Sequence, residues 1–197
     1  AAFERNVAQL VALGSYSHAA LKDVVAQTGI EYHRLERGIA HYYTDQASFD
    51  GAAGAADVMQ RFGVQRRVVS RDELLKIEPA LHAFAHRIKG GTYTQSDESG
   101  DARAFTQQLA ALCGQRGAQL LFNHDIERIE TTGDAVQQVR VRDRQTGIAK
   151  ALKADAFVVA CGSYTTPLLR RIGVSVPIYP GKGYSATLPL LDAARAP

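Results

Sequence analysis

Apolar side chains at Val7, Leu10, Val11, Leu21, Val24 and Val25 recur mostly at separations of three, four and seven. That is the spacing of one helical face, and it predicts a helix from the first residue to about residue 28. Gly14 weakens its middle by about 1 kcal/mol relative to Ala, and Thr28-Gly29 ends it. Residues 30–44 (IEYHRLERGIAHYYT) favour extended backbone, with Gly38 as a turn or bulge. Asp45 is placed to cap a helix reaching Arg61, closed by Phe62-Gly63. The short run QRRVV predicts a strand. Ser70-Arg71-Asp72-Glu73 is a capping box for a helix that Pro79 cannot continue.

The second half changes period. Ile88–Thr94 predicts a strand and Gln95–Gly100 a polar loop. Asp101 caps a helix to about Arg116 that is expected to bury Phe105, Leu109 and Leu112, and Gly117 ends it. Ala118–Phe122 reads as a short apolar strand. From Ile126 to Leu152, IERIE, VQQVRVRD and IAKALKAD alternate apolar with polar positions across Thr132-Gly133-Asp134 and Gln145-Thr146-Gly147. That pattern predicts a three-stranded meander. Ala156–Ala160 reads as a buried parallel strand, followed by a Gly turn, a short helix and a long strand after Pro177. The fold class is therefore α/β, or mixed α+β.

Composition narrows the function. Of 197 residues, 46% are apolar and 22% charged, the balance of an ordinary globular chain. A formal net charge of +3, spread along the chain, argues against a nucleic-acid partner; Arg66-Arg67 and Arg170-Arg171 are short basic pairs. Cys113 and Cys161 sit in apolar stretches, so buried thiols are expected rather than a disulfide. No metal-ligand spacing stands out: His82 and His86 are four apart without a third ligand, and Asp97, Glu98 and Asp101 decorate a loop and a cap. The expected compartment is a reducing cytoplasm, with room for peripheral attachment to the inner membrane, since no apolar run approaches the roughly 18 residues of a spanning helix. The chain opens on Ala within a helical pattern and stops just after a strand, so it is expected to be an internal piece of a longer protein.

The chemistry concentrates near residue 160. An apolar strand that opens through Cys161-Gly162-Ser163 into a helix is how α/β domains meet phosphate-bearing ligands, because Gly lets the backbone approach. Four segments then carry a family resemblance: Ile77-Glu78-Pro79-Ala80-Leu81; Asp97-Glu98-Ser99-Gly100-Asp101 with Phe105-Thr106-Gln107; Gly162-Ser163-Tyr164-Thr165; and Tyr179-Pro180-Gly181-Lys182-Gly183-Tyr184-Ser185. As a set they resemble the FAD-dependent D-amino-acid oxidase and dehydrogenase superfamily, and within it the bacterial dehydrogenase flavin subunits.

The resemblance implies a substrate-binding lobe over 1–95, with a mixed sheet and helices. It implies the middle of a Rossmann-like FAD-binding lobe over 96–177, and a strand returning to the substrate lobe over 178–197. It implies FAD as cofactor, a small D-amino acid (D-alanine by default) as substrate, hydride transfer to the flavin, and a quinone or other electron acceptor. The family's opening GxGxxG unit and its C-terminal part have no counterpart here, so the isolated chain is expected to be inactive. The implied FAD contacts are Gly162, Cys161, Ser163 and Tyr164 at the turn, Ile126 after the Leu120–Phe122 strand, and Lys182 and Gly183 beside the flavin face. Tyr42 and Tyr184 are the candidate substrate contacts; Tyr42 and Tyr43 cannot both face one cavity, because neighbours on a strand point oppositely. No side-chain catalytic base is implied. The alternatives are a glycine- or sarcosine-oxidase-like amine oxidoreductase and a flavin-free binding module.

Overall fold

The computed structural model describes residues 2–184 and Pro189. It divides into two units, one comprising residues up to Gly117 together with Pro189 and one beginning at Ala118.

The first unit opens with α1 (Ala2–Thr28), as the periodicity predicts, and Gly29 leaves it in the left-handed region at φ +67°. Three strands follow as an antiparallel sheet in the order β1 (Ile39–Tyr43), β3 (Gly90–Thr94), β2 (Arg66–Ser70). Between them lie α2 (Gln46–Arg61), the short α3 (Arg71–Ile77) and a 3-10 segment over Pro79–Arg87. The α2 cap is the expected one: the Asp45 carboxylate accepts from Ser48 N at 2.8 Å. Only half of the capping box forms at α3. Ser70 Oγ accepts from Glu73 N at 3.2 Å, but the Glu73 carboxylate turns to Arg67.

The sheet is covered on both faces, and two glycines show how. A side chain on Gly90 would run into the Phe49 ring of α2, and one on Gly91 would run into Leu74 of α3. Adjacent strand residues point oppositely, so α2 covers one face while α3 and the 3-10 segment cover the other. On the second face Val69, Leu74, Leu75 and Ile88 form the core, with Phe84 and Tyr93 against it. The α2 face holds Ala56 with Thr92 and Thr94, each 1% exposed or less. The unit closes with α4 (Ala102–Gln115), capped by Asp101, which accepts from Arg103 N and Ala104 N at 2.9 Å each. Phe105, Leu109 and Leu112 are half-buried there rather than buried. Phe105 meets the buried Tyr32 edge to face at 5.2 Å.

The second unit contains the expected meander, β4 (His124–Thr132), β5 (Ala135–Asp143) and β6 (Ala149–Leu152), wholly antiparallel. Gly133 and Gly147 make its turns at φ +58° and +72°. A 3-10 turn (Gly162–Tyr164) and α5 (Thr165–Arg170) follow, and Arg171 donates to the Glu127 carbonyl of β4 at 2.6 Å.

Three expected strands are corrected. Ala118–Phe122, Ala156–Ala160 and the chain from Ile178 to Tyr184 form no strand, and Val158 is 91% exposed. An apolar strand gains its stability from ladder partners and a covering layer. Among the described residues none pairs with these segments. The rest of the expected returning strand, residues 185–188 and 190–197 with Ser185 of its motif, lies outside the described residues.

Candidate functional site

The turn after residue 160 is built from local geometry. Gly162 sits at φ +54°, a conformation that disfavours side chains, and a Cβ there would meet nothing within 4 Å. The backbone at this point is thus open on the side where a side chain would stand. Cys161 and Ser163 are half-buried, while Tyr164 is 78% exposed. Thr165 is buried beneath the turn, and α5 is a helix of only six residues, too short to act as a helix-terminus anion site.

The other expected contacts scatter over the second unit. Ile126 lies on β4, 44% exposed, beside the bulge that shifts register before Arg128. Lys182 and Tyr184 come together, the Lys182 ammonium lying 5.3 Å from the ring centre, with Gly183 between them. Both Tyr179 and Tyr184 are more than four-fifths exposed. Tyr42 belongs to the first unit. It packs edge to face on Phe84 at 5.9 Å, while Tyr43 turns to Phe49 on the opposite face, as strand alternation requires.

Two groups here were not singled out by sequence. Arg144 bonds Asp125, and that pairing holds the Asp125 carboxyl below its usual range and the guanidinium above its own; the neighbouring Tyr164 adds to the latter. Thr166 donates toward the Val176 and Ile178 carbonyls at 3.2 and 2.9 Å, holding the chain that leads to Lys182. The only hint of either in the sequence is a polar residue beside a turn.

Two of the acidic and histidine positions have structural occupations. Asp101 is the α4 cap, and His86 packs against Phe84 at 6.1 Å. Cys113 and Cys161 are free thiols, half-buried. No described helix is long and apolar enough to cross a membrane.

One unit is thus a helix-covered antiparallel sheet, and the other a meander leading to an open glycine turn. The chain belongs to the FAD dependent oxidoreductase (DAO) family, whose pattern matches residues 2–197. It is 47% identical over 193 residues to a D-amino acid dehydrogenase of Dechloromonas aromatica, covering 98% of this chain and 46% of that protein. It is 39% identical over 196 residues to a D-amino acid dehydrogenase of Methylobacterium radiotolerans, again 46% of that protein. The chain thus spans about half the length of the curated relatives it matches. In fold it is similar to the glycine oxidase of Geobacillus kaustophilus, with a TM-score of 0.66, 23% identity, and coverage of 84% of this chain and 42% of that one.

Proposed function

We propose that the intact protein oxidises a small D-amino acid, by default D-alanine, to an imino acid that water converts to the 2-oxo acid and ammonia. The observation that carries this reading is the 47% identity, over nearly the whole chain, to a D-amino acid dehydrogenase. Bound FAD would supply the hydride acceptor, so the chain need supply no catalytic base.

The residues present suit one flank of a flavin dinucleotide. The open backbone at Gly162, flanked by Cys161, Ser163 and Tyr164, would admit the pyrophosphate and ribitol, and Ile126 would lie toward the adenine. The uncovered Val158 and Tyr164 offer apolar surface of the kind a bound group or a neighbouring segment buries. Lys182 and Gly183 would stand beside the isoalloxazine, where the ammonium favours a reduced, anionic ring. Tyr42 and Tyr184 would contact substrate. Residues 1–95 and 96–177 would serve as substrate-binding and FAD-binding lobes, with 178–197 returning to the first. The electrons would leave to a quinone or similar acceptor, with the protein cytoplasmic or peripheral to the inner membrane.

The test is the visible spectrum of the intact protein without oxygen, before and after D-alanine. Bleaching of a flavin band by D-alanine and not by L-alanine is expected. A band that only glycine or sarcosine bleaches would move the substrate to that class. Absence of any flavin band would overturn the reading.

A further inference from the structure

The first unit carries a concavity of about 700 Å³ that holds none of the residues assigned to flavin or substrate. One wall is the apolar face of α1, with Val7, Leu10, Val11 and Leu21; Met59 and Val64 stand among the other lining residues. Leu10 is 68% exposed, so this wall faces solvent. The polar lining includes His18, Arg66 and Glu98.

Glu98 is the anomaly. Its side chain is 8% exposed, and neither carboxylate oxygen has a hydrogen-bond partner. His18 Nε2 stands 3.3 Å away, yet it too completes no hydrogen bond. The nearby lysine and arginine side chains are committed elsewhere. Lys22 and Arg34 lie 3.3 and 3.6 Å from Glu36, and Arg66 Nε donates to Thr94 Oγ1 at 3.2 Å. Glu36, whose carboxyl Lys22 and then Arg34 hold below its usual range, stands beside Glu98, which adds a smaller lowering contribution. A buried carboxylate without donors is costly, and a donor-rich cation is its natural remedy.

We propose that this groove binds a small organic cation, with a primary ammonium on Glu98 and a hydrocarbon or aryl body against Leu10, Val11 and Met59. An ammonium brings three N–H donors to the two orphaned oxygens. The apolar wall of α1 takes the remainder of the ligand out of water. The proposal does not depend on the flavin reading.

Met59 is the sole methionine of this sequence and lines the groove, which makes its methyl group a local reporter. The experiment is methyl-labelled methionine NMR of the intact protein titrated with benzylamine, with Met59→Leu assigning the resonance. The expected result is a saturable shift of the Met59 methyl. Binding should be about tenfold weaker or worse in Glu98→Gln, and equally weak for benzyl alcohol, which has the same shape but no charge. Leu10→Trp, at an exposed position, should fill the groove and abolish the shift while leaving the fold intact. A Met59 methyl that benzylamine does not move would overturn the proposal, as would equal responses to the amine and the alcohol. Because the reporter sits in the groove, amine bound at a flavin site would not mimic the result.

Discussion

The hydroxyl of Thr166 stands 2.9 Å from the carbonyl oxygen of Ile178 and 3.2 Å from that of Val176. One side chain on α5 therefore fastens the irregular segment that leads to Lys182. Thr166→Val keeps the shape and removes the donor, and should cost about 1 kcal/mol. Amide hydrogen exchange over residues 179–184 should quicken in this variant. Unchanged exchange would mean that the segment is held elsewhere.

Gly91 faces a backbone obstacle. A Cβ there would fall inside 3.0 Å of the His41 carbonyl oxygen and 3.2 Å from both Leu74 methyl carbons. Because Gly91 pairs with Tyr42, that carbonyl moves only with β1. Gly91→Ala should destabilise the first unit by about 2–3 kcal/mol, read as a lower urea midpoint.

Gly51 and Gly54 make the opposite case. Both lie inside α2, where an added methyl group would meet nothing within 4 Å, and neither has positive φ. Replacing either by Ala removes backbone freedom from the unfolded chain and should raise stability by about 0.5–1 kcal/mol. A fall in the urea midpoint would show that the helix surface there is occupied.

The two helix caps carry a pH dependence. The backbone N–H of Ser48, then its side chain, holds Asp45 below the ordinary 3.8, and the Ala104 N–H does the same for Asp101. A carboxyl with a depressed folded value contributes its stability above the unfolded value and loses it as pH falls through the folded one. Asn at both positions still accepts the cap bonds but does not titrate. The Asp45→Asn, Asp101→Asn protein should therefore lose less melting temperature than the parent between about pH 5 and about pH 3. Parallel acid profiles would place the sensitivity in other carboxylates.

Gly162→Val tests the flavin flank. The residue sits at φ +54°, where a β-branched side chain is strained, and the branch would project into the open approach. Flavin should be lost from the intact protein on gel filtration, and Gly162→Ala should retain an intermediate share. Normal flavin stoichiometry in the valine variant would falsify the assigned role.

The elements legible in the sequence were those set by short-range chemistry. Asp45 and Asp101 announce their helices because a carboxylate before an apolar run can satisfy free N–H groups locally, and both do so. The meander shows through strict alternation broken by Gly133 and Gly147. What depends on distant neighbours was not legible. Phe157-Val158-Val159 has the composition of a buried strand, but strand formation requires partners that no described residue supplies. Glu98 reads as one more loop acid, and its burial beside His18 of α1 joins residues 80 apart. The glycine turn at residue 162 was visible, whereas the Arg171 bond that docks the adjoining helix on β4 joins residues 44 apart.

Where Gly90 and Gly91 follow one another, β3 has no side chain on either face. The sheet is there only one backbone thick, with Phe49 pressed against one surface and Leu74 against the other. Displacement of α2 should therefore be felt by α3 with little cushioning, since close-packed layers transmit strain rather than absorb it. Such a thin point makes this end of the central strand a mechanical relay between the two helical layers.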